Sequence, residues 1–281
     1  MKDKITVFAH TIGKFFLLIT LWILSIVIAY NLTPIIEKQG KPVSTFYFEF
    51  IPFLGLIVGH FVLTKYFEKS NLSYARITTV NFLRNFLNGF SIGLLWLTVS
   101  VIPIFILGQG TLNITFSLTI FELLVYFSIL FINSGMQELL IHGYLLSVLQ
   151  EKYSMIVALV TTSLLFLLLH PGAINSGLIA SLNVFGAGLI FGLMTIKFNS
   201  LFSATLAHSV WNYFGAVWLG LIPLDNYPSM KLISLNGNPL IVGDKNGIET
   251  SIIVTVTMMI FVAYLWKIQT TKNKTLDIEA A

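Results

Sequence analysis

The chain contains no cysteine, and only 10% of its residues carry a formal charge. The first absence excludes disulfides, a thiol nucleophile and cysteine-rich metal sites. The second excludes an ordinary water-soluble domain, in which about a quarter of side chains are charged. What is abundant is apolar: 56% of the 281 residues are hydrophobic, and 24 are phenylalanine. Such a chain must satisfy its backbone polar groups inside lipid, and a helix does so within one segment. The expected fold is therefore all-α, a polytopic membrane helix bundle read as a single domain over residues 1–281. The net charge of +4 is no nucleic-acid signal, because the basic residues sit in loops beside apolar runs. There they set topology and touch anionic lipid.

Crossing a bilayer takes about 20 residues. Suitable runs occupy 15–30, 50–66, 89–107, 116–149, 155–169, 177–196, 201–222 and 251–266. Asn133-Ser134-Gly135 could split the fourth run, which would make nine spans. Charge favours eight. With eight, both termini lie on the cytoplasmic side, together with Lys69, Arg76 and Arg84 of the 67–88 loop, Lys152 and Lys197. The terminal lysines at 2, 4, 14, 267, 272 and 274 then lie where the positive-inside rule prefers them. The opening MKDKITVFAHTIGK is basic, leads into an apolar run and shows no small-residue cleavage site, so it reads as a retained anchor. The 223–250 loop is rich in Pro, Asn and Gly and reads as a series of turns. There is no internal repeat and no low-complexity tract.

Ionisable groups at membrane depth are costly and point to function. In QELLIHGYLL (137–146), Glu138 and His142 are four apart and share a helix face, with Gln137 about 100° round the axis. In FLLLHPG (166–172), His170 ends an apolar run that Pro171 and Gly172 halt. In HSVWN (208–212), His208 and Asn212 share a face. Each piece has a plainer reading: a self-satisfied Glu–His pair, a histidine at a helix end, an interhelical hydrogen bond. Taken together, Glu138, His170 and His208 are a carboxylate and two imidazoles from three helices. Such a set can hold zinc with an open position for water. It can equally activate water without metal, the carboxylate taking the proton while His and Asn stabilise an oxyanion. His10 lies before the first span, and His60 reads as a single buried hydrogen bond. Glu122 reads as reaching the interface, and Asp225, Asp244 and Glu249 as solvated loop charges.

The ordered motifs QELLIHGYLL, FLLLHPG and LFSATLAHSVWN resemble the CAAX-protease and bacteriocin-processing (CPBP, or Abi) family of intramembrane metalloproteases. The trailing NGNPLIVGDKNGIETSI resembles the segment that follows the third motif in bacterial members. The resemblance covers roughly residues 85–267. It implies a membrane-embedded endopeptidase in a bacterial plasma membrane, acting on a membrane-associated peptide or protein, with zinc as a candidate cofactor and no nucleic acid involved. The family's first motif has two adjacent glutamates and, four residues after the second, an arginine. Here Gln137 stands in the first glutamate's place, Glu138 in the second's and His142 in the arginine's. Gly143, Phe166, His170, His208 and Asn212 fit the remaining pattern. In the family the first glutamate is read as the base, the two histidines as metal ligands or oxyanion contacts, and the asparagine as oxyanion support. Gln137 has no useful basicity. His142 is not a permanent cation. The resemblance thus leaves Glu138 as the candidate base or third metal ligand, provided the helix rotates or kinks there. The catalytic candidates are Glu138, Gln137, His142 and Asn212, and the metal candidates His170, His208 and Glu138. The alternative is a catalytically inactive member serving as a membrane scaffold or bacteriocin-immunity protein. An unrelated transporter with histidines along a path is disfavoured by the motif order.

Overall fold

The computed structural model describes residues 2–114, 117–224 and 226–279, without the side chains of 2–8, 39 and 271–279. The side chains of Lys2, Lys4, Lys272 and Lys274, and residues Phe116 and Asp225, therefore lie outside the described residues. The helices are α1 (Lys2–Ile36), α2 (Lys41–Val62), α3 (Phe82–Leu107), α4 (Ile120–Glu138) and α5 (Tyr144–Lys152). They continue as α6 (Met155–Leu168), α7 (Pro171–Asn175), α8 (Leu178–Phe198), α9 (Leu201–Asn212), α10 (Pro239–Val242) and α11 (Ile252–Glu279). A π-helical turn, Leu139–Gly143, joins α4 to α5, and another, Tyr213–Trp218, prolongs α9.

Six helices among the described residues are long and apolar enough to cross a membrane. One is Ile120–Lys152, which passes through Asn133-Ser134-Gly135 unbroken, as the charge argument requires. The first begins at Ala9, so His10 lies inside it and not before it. Two of the eight expected spans are not among the six: α6 has 14 residues, and α9, prolonged by its π-turn to Trp218, carries polar side chains such as His208 and Asn212. Ser203 to Trp211 are all buried, so there protein replaces lipid.

Local sequence explains the boundaries. Thr119 and Glu122 form a capping box at the start of α4, so Glu122 is spent on a helix end. Ser154 caps α6 through the Val157 amide at 3.2 Å. Pro171 supplies the first position of α7 and closes off α6. Gly89 and Gly93, one turn apart on α3, let α9 approach closely: a Cβ at Gly93 would come within 2.8 Å of the Ala207 backbone. This is the small-residue packing by which membrane helices associate. It seats α9, and so His208, against α3.

At one end of the bundle Lys14 pairs with Glu68 at 2.6 Å, Tyr74 donates to Glu151 at 2.6 Å, and the Arg76 guanidinium reaches Ser147 and Gln150. At the other end, β1 (Thr111–Leu112) pairs antiparallel with β2 (Ile233–Ser234), with Thr111 opposite Ser234. The 223–250 loop is stitched to the end of α9: the amides of Met230, Leu232 and Ile233 donate to the carbonyls of Val217, Trp218 and Leu219. Those carbonyls would otherwise be orphaned at a helix terminus. The loop is thus a fitted cover over the bundle.

Candidate active site

Glu138 is the last residue of α4 and is fully buried. A carboxylate out of water needs its oxygens satisfied, and here each has an imidazole: His142 Nδ1 lies 2.7 Å from Oε2, and His208 Nδ1 lies 2.9 Å from Oε1. A π-turn, Leu139–Gly143, follows immediately after Glu138. Such turns leave a backbone donor without its usual acceptor. His60 receives it: its Nε2 faces the Tyr144 amide at 3.4 Å, while its Nδ1 donates to the Leu56 carbonyl at 2.8 Å. A Cβ on Gly143 would lie 2.7 Å from His60 Nε2, so the turn depends on a glycine there.

His170, just past α6, donates Nδ1–H to the Phe166 carbonyl at 2.7 Å. The Phe166 ring lies between the two motif histidines, with centroids 4.5 Å from His170 and 5.6 Å from His208. Phe191 stacks on His208 at 4.7 Å. With both Nδ1 atoms engaged, the rings of His170 and His208 keep Nε2 as the nitrogen without a protein partner. Both line a cavity of about 160 Å³, together with Gln137 and Asn212. That is room for several waters. Burial pushes the His170 imidazole below its ordinary range. A larger apolar groove of about 900 Å³, between α2, α4 and α9, holds none of these groups.

Glu138 and His142 do not line the cavity. Each Glu138 oxygen holds one imidazole, and Glu138 meets the cavity through His208, as a carboxylate that fixes a histidine's tautomer and orientation. His142 takes up the other oxygen, and its Nε2 is buried without a partner. Gln137 does reach the cavity. Its amide donates to Asn133 Oδ1 at 3.0 Å, and its Oε1 is buried and unpartnered. For zinc, the donors do not fit. Among the described residues no group of three or more His, Asp or Glu side chains could hold a metal ion, and the carboxylate beside His208 is already committed.

Glu249, read from sequence as a solvated loop charge, is a correction. It lines the cavity, and its Oε1 accepts from Trp211 Nε1 at 3.3 Å. Burial pushes its carboxyl above the usual carboxylate range, partly offset by the hydrogen bond from Trp211. Asp244 is exposed, as expected. Asn183 of α8 also lines the cavity, with Nδ2 donating to the Glu249 and Ser251 carbonyls at 2.8 and 3.1 Å. Asn133, passed over as a helix breaker, bridges Gln137 to Glu49, 3.1 Å away. A polar residue inside an apolar run was the available signal for Asn133 and Asn183. For Glu249 it was a place in the segment that trails the third motif.

The family model described as type II CAAX prenyl endopeptidase Rce1-like matches residues 119–214, about a third of the chain and the part that carries Gln137, Glu138, His170, His208 and Asn212. The match supports membership of the CAAX-protease (CPBP) family, as the three motifs suggest. No curated protein and no solved structure gives a significant match.

Proposed function

With a type II CAAX endopeptidase signature over residues 119–214 as premise, we propose that this protein is a membrane-embedded endopeptidase in which His208, oriented by Glu138, activates water. The reading rests on one observation above all: His208 holds Glu138 through Nδ1 at 2.9 Å while its other face lines a cavity shared with His170 and Asn212.

Each group has a role set by its chemistry. A water in the cavity attacks the carbonyl carbon of the scissile amide while His208 Nε2 takes its proton, and Glu138 stabilises the imidazolium that forms. His170 Nε2 accepts the second water hydrogen and aims the lone pair. The Asn212 amide donates to the oxyanion. As the C–N bond breaks, His208 returns the proton to the leaving amine, so one water is consumed and an acid and an amine are released. Gln137 supplies a hydrogen-bond acceptor where the family has a carboxylate. The substrate is a peptide or protein at the membrane. The basic-loop end is assigned to the cytoplasm, and the end covered by the 223–250 loop to the outside.

The test is cleavage of membrane-tethered peptides co-expressed with wild type, Gln137→Glu, Glu138→Ala and His208→Ala. Cleavage by wild type, lost in the last two, supports the reading. The replacement at Gln137 favours a second reading, an inactive member that binds a partner. Cleavage by Gln137→Glu alone, or by no variant while a partner co-purifies, would establish that reading instead.

A further inference from the structure

The cavity is rich in acceptors and short of donors. His170 and His208 each bring an Nε2 whose sister nitrogen is already donating. Gln137 Oε1 and Asn183 Oδ1 are buried without partners, and Asn183 is only 3% exposed. Glu249 adds a carboxylate, with Oε1 on Trp211. Against these stand the Asn212 amide and the Trp96 indole N–H, itself buried without a partner, and no lysine or arginine lines the cavity. Buried acceptors with no donor are a cost the fold carries unless an occupant relieves it.

Glu249 is also held in place. Its carbonyl is anchored by Asn183 Nδ2 at 2.8 Å, and the turn before it is fixed by Gly247 at φ +82°. The water-activating chemistry uses Glu138 and His208 and leaves this carboxylate without a task. We propose that Glu249, with the Asn183 and Gln137 oxygens, forms a subsite for a protonated primary amine of the substrate, either a lysine side chain or a free N-terminus close to the scissile bond. An ammonium supplies three N–H donors and the missing positive charge. A cavity of about 160 Å³ admits it with a short methylene stem. The raised Glu249 carboxyl fits a carboxylate whose counter-charge arrives with the ligand. This inference rests on the proteolytic reading for the word substrate, but the subsite itself does not.

The experiment uses the full chain in lipid nanodiscs, with n-butylammonium as probe and n-butanol as its neutral match. Thermal unfolding at increasing ligand gives the two affinities. Wild type should prefer the amine by about tenfold or more, the scale of one charge-assisted hydrogen bond. Glu249→Gln, which keeps the acceptor for Trp211, should bring the ratio to about one. Glu249→Asp should retain part of the preference, which guards against misreading a folding defect. In parallel, tethered peptides carrying lysine, norleucine, a free N-terminus or an acetylated one are tested for cleavage, which separates the two sources of amine. No preference in wild type, a preference unchanged in Glu249→Gln, or equal stabilisation by sodium ion would overturn the subsite. An amine preference without cleavage of any peptide would leave the subsite standing and remove the protease reading.

Discussion

Replacing Glu138 by glutamine changes one oxygen into an NH2 group at a point where two imidazole N–H groups converge. Only one of them can still donate to the remaining oxygen; the other faces a donor and must move its proton to Nε2. The two histidines differ in what that costs. His142 Nε2 is buried with no partner, so a proton there is an unsatisfied donor, at about 1–3 kcal/mol. His208 lines the cavity, where Gln137 and Asn183 offer unpartnered acceptor oxygens. His208 should therefore be the ring that switches. Its Nε2 then carries a proton and cannot take one from water. The expected result is a fall of about 10²- to 10⁴-fold in kcat, the worth of a positioned general base, with KM little changed. Stability should fall by about 1–3 kcal/mol, because one good acceptor has been lost. Glu138→Ala strands two imidazole N–H donors and should cost about 2–6 kcal/mol, twice the cost of one buried unsatisfied donor. The assays are peptide cleavage in proteoliposomes and thermal unfolding. A Glu138→Gln variant with undiminished kcat would refute the reasoning, since among the described residues Glu138 is the acceptor that fixes the His208 tautomer.

Three further outcomes follow from the same geometry. Gly143→Ala should destabilise the protein by about 1–3 kcal/mol through overpacking, because the new Cβ would sit 2.7 Å from His60 Nε2; an unchanged unfolding temperature would contradict the role given to the π-turn. Glu249 has its carboxyl raised by burial, so the folded chain binds a proton at a pH where the unfolded chain has released it. Stability should then decline as pH rises from the ordinary carboxylate value through that of Glu249, and Glu249→Gln should flatten the decline in a pH series of melting curves. Purified protein should hold far less than one zinc per chain by elemental analysis, and stoichiometric zinc that is lost in His170→Ala would show that a ligand set assembles after all.

The fold class was legible because it follows from bulk chemistry: few charges and long continuous apolar runs favour helices, which satisfy their own backbone in lipid. The site was legible as far as its residues sit on regular helices at fixed spacing. Glu138 and His142 pair as an i, i+4 reading requires, at 2.7 Å. What spacing could not give was the direction in which Glu138 points. That is decided by His208, 70 positions away along the chain, and by a π-turn that depends on His60 packing against Gly143. Nor could spacing reveal Glu249. Its loop looks solvated by composition, and only the stitching of residues 230–233 onto the end of α9 turns the loop into a cover. Hydropathy assumes lipid on every side, whereas much of α9 is surrounded by protein and can carry polar residues such as His208.

The central claim is that a buried glutamate sets the protonation pattern of a cavity-facing histidine. Nitrogen-15 solid-state NMR of the histidine-labelled protein in lipid reads this pattern directly, with the His208 signals identified by their loss in His208→Asn. At neutral pH, His208 should show a protonated, strongly hydrogen-bonded Nδ1 and a bare Nε2, and Glu138→Gln should exchange the two. A His208 protonated at Nε2 in the wild type, or a pattern that Glu138→Gln leaves untouched, would contradict the account.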